Sequence, residues 1–189
     1  MRIIAGTYRS RILKSLKGQA LRPTADRLRE TLFNVLGHPV NGARFIDVFA
    51  GTGAVGIEAL SRGATEVVFI ENHAPAAALI RRNLESLDIH SGATVLAVDA
   101  LRSLEKLAAK HRPGEPGYDF VFIDPPYAAV HEYTQVLRFL GATSFLSPQA
   151  KVIVEHRHNF ELPESSGALR RTRVLRQGDA ALSFYSRES

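Results

Sequence analysis

Four consecutive residues, Asp124-Pro125-Pro126-Tyr127, combine a carboxylate, bare backbone carbonyls and an aromatic ring. Consecutive prolines fix φ and give up two backbone donors, so the turn is rigid and presents acceptors without competing N–H groups. That inventory suits an exocyclic amine on a nucleic-acid base. The lone pair of such a nitrogen is delocalised into the ring, which makes it a poor nucleophile. Acceptance of its two N–H bonds by the Asp124 carboxylate and the Pro125 carbonyl would draw it toward tetrahedral geometry and localise the lone pair. Tyr127 would stack on the base once it has left its helix. Transfer to the nitrogen is then a direct in-line displacement that needs alignment and electrostatics, not a covalent intermediate. A chain without cysteine has no route through a base-attacking thiol. It also has no disulfides and no cysteine-ligated zinc or iron–sulfur cluster.

A second constellation precedes the first. Gly51, Gly53 and Gly56 match G-x-G-x-x-G between a strand-like run ending near Phe49 and a helical stretch. Glu71 follows about 20 residues on, where a carboxylate can accept from ribose hydroxyls. This spacing fits NAD and S-adenosylmethionine (SAM) alike. Two residues favour SAM. Asp47, four positions before the first glycine, is placed to meet the cationic amino group of a methionine moiety, whereas an NAD site keeps this strand apolar and its helix N-terminus for pyrophosphate. Asp99, at the end of the third strand, can hydrogen-bond an adenine amine; a helix N-cap is the competing role for it. With their neighbours, the expected cofactor set is Asp47, Ala50, Gly51, Gly53, Glu71, Asn72, Asp99 and Ala100.

The elements that must carry these residues follow from hydrophobic pattern. Phe45–Phe49, Glu66–Ile70, Thr94–Val98, Tyr118–Ile123 and Lys151–Glu155 are short apolar runs without alternation, as in parallel strands buried on both faces. Helical periodicity lies between them: a stretch through Leu60 stopping at Gly63, one with Leu79, Ile80, Leu84 and Leu87 on one face, one marked by Leu101, Leu104 and Leu107, and one over 132–140. The rhythm predicts an α/β fold with a doubly wound parallel sheet. Arg173–Gln177 and Ala181–Ser186, separated by Gly178-Asp179, predict an antiparallel hairpin at its edge. Before the sheet, Arg2–Ala5 and Arg11–Leu16 predict a small hairpin standing off it. Pro23-Thr24 then opens a helix that Gly37 and Pro39 end.

Charge is unevenly spread along the 189 residues. Residues 1–30 hold eight Lys/Arg against Asp26 and Glu30, a net +6, while the whole chain is +5, so the remainder is −1. A further basic cluster is Arg170, Arg171, Arg173 and Arg176. Basic ends around a near-neutral middle suit a protein that grips a polyanion at its periphery; a merely solvated arm is the plainer reading. The seven histidines show no i, i+4 pair beside an acid, so no metal site is expected. No run is long enough to span a membrane and no signal sequence is evident, so the expected setting is cytoplasmic.

Taken together, the opening Met1–Gly6, the block Arg22–Asn34, the glycine turn, Asp124–Tyr127 and the closing Gly178–Ser183 resemble the RsmD family of 16S ribosomal RNA guanine-N2 methyltransferases nearly end to end. The resemblance implies a SAM-dependent Rossmann-like sheet of seven strands, the last reversed, acting on small-subunit rRNA. It implies Asp124, Pro125, Pro126 and Tyr127 at the target amine. It divides the chain into an RNA-contacting extension, 1–40, and a methyltransferase domain, 41–189, and the chain is expected to be a monomer. Arg9, Arg11 and Lys14 would grip RNA, and Arg22, Thr24, Asp26, Arg27 and Arg29 would shape the pocket for the base and its phosphates. For Arg27 and Arg29 the competing role is ion pairing along one helix. An adenine-N6 methyltransferase using the same tetrapeptide, an NAD(P)-dependent oxidoreductase and a non-catalytic RNA-binding protein are the other readings.

Overall fold

The protein is described by a computed structural model covering residues 1–16, 23–126 and 129–188; the side chains of residues 23–25 lie outside the description. Helix α1 (Pro23–Leu36) and a 3₁₀ turn (His38–Val40) lead into β1 (Arg44–Val48). Then follow α2 (Ala54–Ser61), β2 (Glu66–Ile70), α3 (Ala74–Ser86), β3 (Ala93–Leu96), α4 (Ala100–Lys110), β4 (Tyr118–Ile123), α5 (Val130–Ala142), β5 (Leu146–Arg157), β6 (Ser165–Ser166), β7 (Leu169–Gln177) and β8 (Ala180–Arg187). One sheet contains all the strands in the order β3-β2-β1-β4-β5-β8-β7-β6. The strands β3, β2, β1, β4 and β5 run parallel, and β8 enters antiparallel to β5.

Alternation along the strands builds two cores. On β1, β2 and β4, Phe45, Val67, Phe69, Phe120 and Phe122 face α1–α3, while Ile46, Val48, Val68, Ile70, Val121 and Ile123 face α4 and α5. Both faces of the parallel sheet are thus covered, which is why these strands read as unbroken apolar runs. The chain order reverses between β1 and β4, and ligands in such sheets bind at the carboxyl ends of the strands flanking that point.

The structure departs from the sequence reading in four places. The two-residue β6 makes eight strands among the described residues where seven were expected, and β8, β7 and β6 together form the antiparallel edge. β3 is shorter than expected and only partly buried, because it is the edge strand with one neighbour. β5 runs well beyond the apolar stretch, since its polar flank through Arg157 still pairs with β8.

The last departure is the N-terminal hairpin, which is reduced to an isolated bridge, Arg2 to Ile12, and does not stand off the sheet. Ile3 and Leu13 are buried in the same core as α1 and α2. Glu58 of α2, fully buried, accepts from the backbone N–H groups of Ile4 (2.8 Å) and Ala5 (3.0 Å) and from Arg62 Nε (2.9 Å). Arg29 of α1 approaches the same carboxylate at 3.7 Å and donates to the Arg2 carbonyl at 2.7 Å. Ser61 completes the dock: its carbonyl accepts from Thr7 N–H and its hydroxyl from Tyr8 N–H. A polar hub this buried stays favourable only while every member is paired.

Removal of one partner from such a hub leaves the others buried and uncompensated. Glu58→Ala is therefore expected to cost about 3–5 kcal/mol of unfolding free energy in denaturant titration. Hydrogen exchange at the Ile4 and Ala5 amides should accelerate, and a loss under about 1 kcal/mol would mean that the segment is held by apolar packing alone.

Candidate active site

From the carboxyl end of β1 the chain turns sharply into α2. Gly51 and Gly53 take positive φ (55° and 77°), and so does Phe49 (62°), a conformation that costs a non-glycine residue about 1–2 kcal/mol. Four hydrogen bonds hold the turn. Gly53 N–H donates to the Ala50 carbonyl (2.7 Å) and Ala50 N–H to the Ile70 carbonyl (3.0 Å). Gly51 N–H donates to Glu71 Oε2 and Gly56 N–H to Asp47 Oδ2, both at 2.8 Å. Glu71 is fixed in turn by the His73 N–H, 2.8 Å from Oε1.

The Asp47 bond has a structural logic. Gly53, at the N-cap of α2, has no side chain to satisfy the amides of the first turn. Asp47 does so from the neighbouring strand, capping the third helical residue. That residue has to be glycine, because a Cβ at Gly56 would lie 2.3 Å from the Phe69 ring and 2.9 Å from Val67 Cγ1. The helix therefore sits close enough to the sheet for Asp47 to reach it. Burial lifts the Asp47 carboxyl to about 8; the Gly56 N–H opposes the rise and the Glu71 charge adds to it.

A cavity of about 250 Å³ opens over this turn. Asp47, Phe49, Ala50, Gly51 and Thr52 line its β1 side, Leu28, Arg29 and Leu32 of α1 roof it, and Asp124 and Glu155 line its far side. Asp124 N–H donates to the Val48 carbonyl (3.3 Å), so Asp124 continues the β1–β4 ladder at the switch point. Pro125 is buried and its carbonyl accepts from the Tyr133 hydroxyl of α5 at 3.5 Å. Ala129 N–H closes the loop onto the Pro126 carbonyl at 2.7 Å.

The other expected site residues divide. Gly53, Glu71, Asn72, Asp99, Ala100, Pro125 and Pro126 are not among the described residues lining the cavity. Asp99 caps α4, accepting from Arg102 N–H at 3.2 Å, the competing role noted from sequence. Arg29, expected to shape the pocket for the base and its phosphates or to pair along its helix, is 5% exposed, lines the cavity and is bonded to Asp26 and the Arg2 carbonyl. Arg9, Arg11, Lys14 and Arg27 are exposed, with Arg11 donating to the Ser86 carbonyl. Arg22, Tyr127 and the side chain of Thr24 lie outside the described residues. Among the described residues no group of three or more His, Asp or Glu could hold a metal ion, and no helix is long and apolar enough to cross a membrane.

Several residues went unnoticed in the sequence. Asn83 of α3, fully buried, accepts from Lys14 N–H (2.9 Å) and donates to the Lys14 (3.2 Å) and Thr52 (3.1 Å) carbonyls, joining the N-terminal segment to the glycine turn. Glu58, Tyr133 and Glu155 were also missed. For Asn83 and Glu58 a polar residue at a buried helical position was the available signal.

A doubly wound sheet whose glycine turn and acid-Pro-Pro segment meet over the switch point is the Rossmann-like fold of SAM-dependent methyltransferases. More narrowly, the chain belongs to the RsmD family. The family model described as "Conserved hypothetical protein 95" matches residues 1–186. Ribosomal RNA small subunit methyltransferase D of Haemophilus influenzae is 38% identical across 82% of this chain and 78% of its own. The enzyme of the same name from Escherichia coli K12 is 34% identical across 100% and 91%. A solved structure of yhhF from Escherichia coli aligns with a TM-score of 0.82 at 33% identity, covering 100% of this chain and 98% of that one.

The buried acid makes a prediction about stability. Between its unfolded value, 3.8, and about 8, Asp47 binds a proton in the folded state only, so stability falls as pH rises through that window. An asparagine in its place would keep an acceptor for the Gly56 N–H and cannot ionise. Ligand-free Asp47→Asn is expected to gain on wild type by up to about 1.4 kcal/mol per pH unit across the window, levelling off above it. Melting curves of both proteins from pH 5 to 9 test this; a pH-independent gap would show that Asp47 is ionised throughout.

Proposed function

We propose that this chain transfers a methyl group from SAM to the exocyclic N2 of a guanine in small-subunit ribosomal RNA. One observation supports the chemistry most directly: Asp124 lines the same cavity as Asp47 and the glycine turn. An amine-polarising acid and a cofactor-type turn thus share one cavity. The names of the relatives support the RNA substrate, and the guanine-N2 choice rests on membership of this family.

The residues present fit the cofactor. Asp47, whose carboxyl burial lifts to about 8, lines the cavity where it can ionise against a ligand ammonium, which would offset its burial. Glu71 keeps lone pairs beyond those used by Gly51 and His73 and can accept from ribose hydroxyls. Gly51, Gly53 and Ala50 offer backbone close to the ligand; Asn72, Ala100 and the Asp99 oxygen not bound to Arg102 are assigned to the adenine end. When bound, SAM supplies an electrophilic methyl on a sulfonium sulfur.

The chain's own residues do the rest. Asp124 and the Pro125 carbonyl hold the two N–H bonds of a flipped-out guanine amine and localise its lone pair. The Tyr133 hydroxyl aims the Pro125 carbonyl and Tyr127 stacks on the base. As the new N–C bond forms, the nitrogen gives up one proton, which the Asp124 carboxylate accepts and passes to water. Residues 1–40 form the RNA-contacting extension of the domain spanning 41–189. Arg9, Arg11, Lys14, Arg22 and Arg27 meet phosphates, while Thr24, Asp26 and Arg29 shape the pocket wall.

Asp124→Ala tests the assignment. Methyl transfer into small subunits is expected to fall by roughly 100- to 1000-fold, while S-adenosylhomocysteine binding, measured by calorimetry, stays within about threefold of wild type, under 1 kcal/mol. Turnover within about tenfold of wild type would remove Asp124 from the chemistry.

A further inference from the structure

The cavity has a second acid at its substrate end that the chemistry above leaves unused. Glu155 lines it together with Asp124. β4 and β5 are parallel neighbours with Ile123 opposite Val154, so Asp124 and Glu155 are the next pair beyond that register. Neighbouring strands lie about 4.8 Å apart. Alternation turns both acids the same way: Phe122 and Ile153 pack toward α1–α3, Ile123 and Val154 toward α4 and α5, and the following residue on each strand returns to the first face. Asp124 and Glu155 thus stand on adjacent strands, their backbones about one strand spacing apart, and both line the cavity that a base would enter.

Such a pair selects a ligand with two adjacent donors. Guanine offers them, because its N2 amine is next to N1–H. Adenine places its amine beside an N1 that carries a lone pair and no hydrogen, and a carboxylate repels that lone pair. Polarisation of the amine needs only Asp124 and the Pro125 carbonyl, so the Glu155 carboxylate has no part in that step. We propose that Glu155 is the specificity-determining residue that selects guanine, accepting its N1–H while Asp124 holds the N2 amine; this rests on the guanine-N2 reading of the site.

The test uses small-subunit rRNA carrying either guanine or, introduced by ligation, 2-aminopurine at the nucleotide that the wild-type protein methylates. 2-Aminopurine keeps the C2 amine and has a bare N1. Wild type is expected to prefer guanine in kcat/KM by at least about tenfold, as expected when a site built for a donor meets an analogue lacking it. Glu155→Gln should slow transfer to guanine by roughly 10- to 100-fold, the loss of a charge-assisted hydrogen bond. It should also bring the preference close to one, since its amide N–H can donate to the bare N1. Glu155→Asp should be slower yet keep the preference. If both variants slow the two substrates equally and the preference matches wild type, Glu155 is only structural and the proposal is overturned. Nucleoside analysis of the wild-type product separates the other failure: any product other than N2-methylguanosine overturns the guanine-N2 reading itself, and this proposal with it.

Discussion

The architecture of the site depends on two carboxylates that reach from the ends of neighbouring strands to backbone amides of one turn. Glu71 fixes Gly51 and Asp47 fixes Gly56, each at 2.8 Å. Without them the first turn of α2 would bury unsatisfied N–H groups beside a glycine N-cap. With them the turn is locked in a conformation that includes a positive φ at Phe49, and its strain is offset by packing and hydrogen bonding on both sides. The same bonds leave Asp47 buried, with its carboxyl near 8. The free site thus carries an acid whose ionised form is penalised, and a cationic ligand relieves that penalty.

This constraint propagates outward through polar side chains. Asn83 joins the Thr52 carbonyl of the turn to the backbone of Lys14, and Glu58 of α2 binds Ile4 and Ala5. Arg29 of α1 meets Glu58 and also lines the cavity. The basic N-terminal segment and α1 are therefore coupled to the glycine turn and the helix that follows it. Displacement of α1 would alter the cavity wall and the grip on the N-terminal segment together.

Much of this was legible in the residues. β2 and β4 fall on the expected spans because each is a strand buried on both faces, where burial and strand identity give the same pattern. The glycine turn, Asp47 and Asp124 were legible because their chemistry is local: short spacing, a strand before and a helix after. What escaped depends on distant partners. Glu58 and Asn83 look like ordinary polar helix positions, and only the docking of segments 53–69 residues away in sequence makes them buried hubs. The bond from Arg29 to the Arg2 carbonyl escapes for the same reason. Glu155 is a lone acid at a strand end until the β4–β5 register sets it beside Asp124.

Transfer of a methyl group to the N2 of a guanine in ribosomal RNA is the reaction proposed for this cavity. Its most direct measurement supplies SAM labelled in the methyl group and small subunits from cells lacking the corresponding modification, then digests the RNA and identifies the labelled nucleoside by mass spectrometry. Label is expected in N2-methylguanosine alone, at one position. Label in N6-methyladenosine, or none in RNA that the protein still binds, would contradict it.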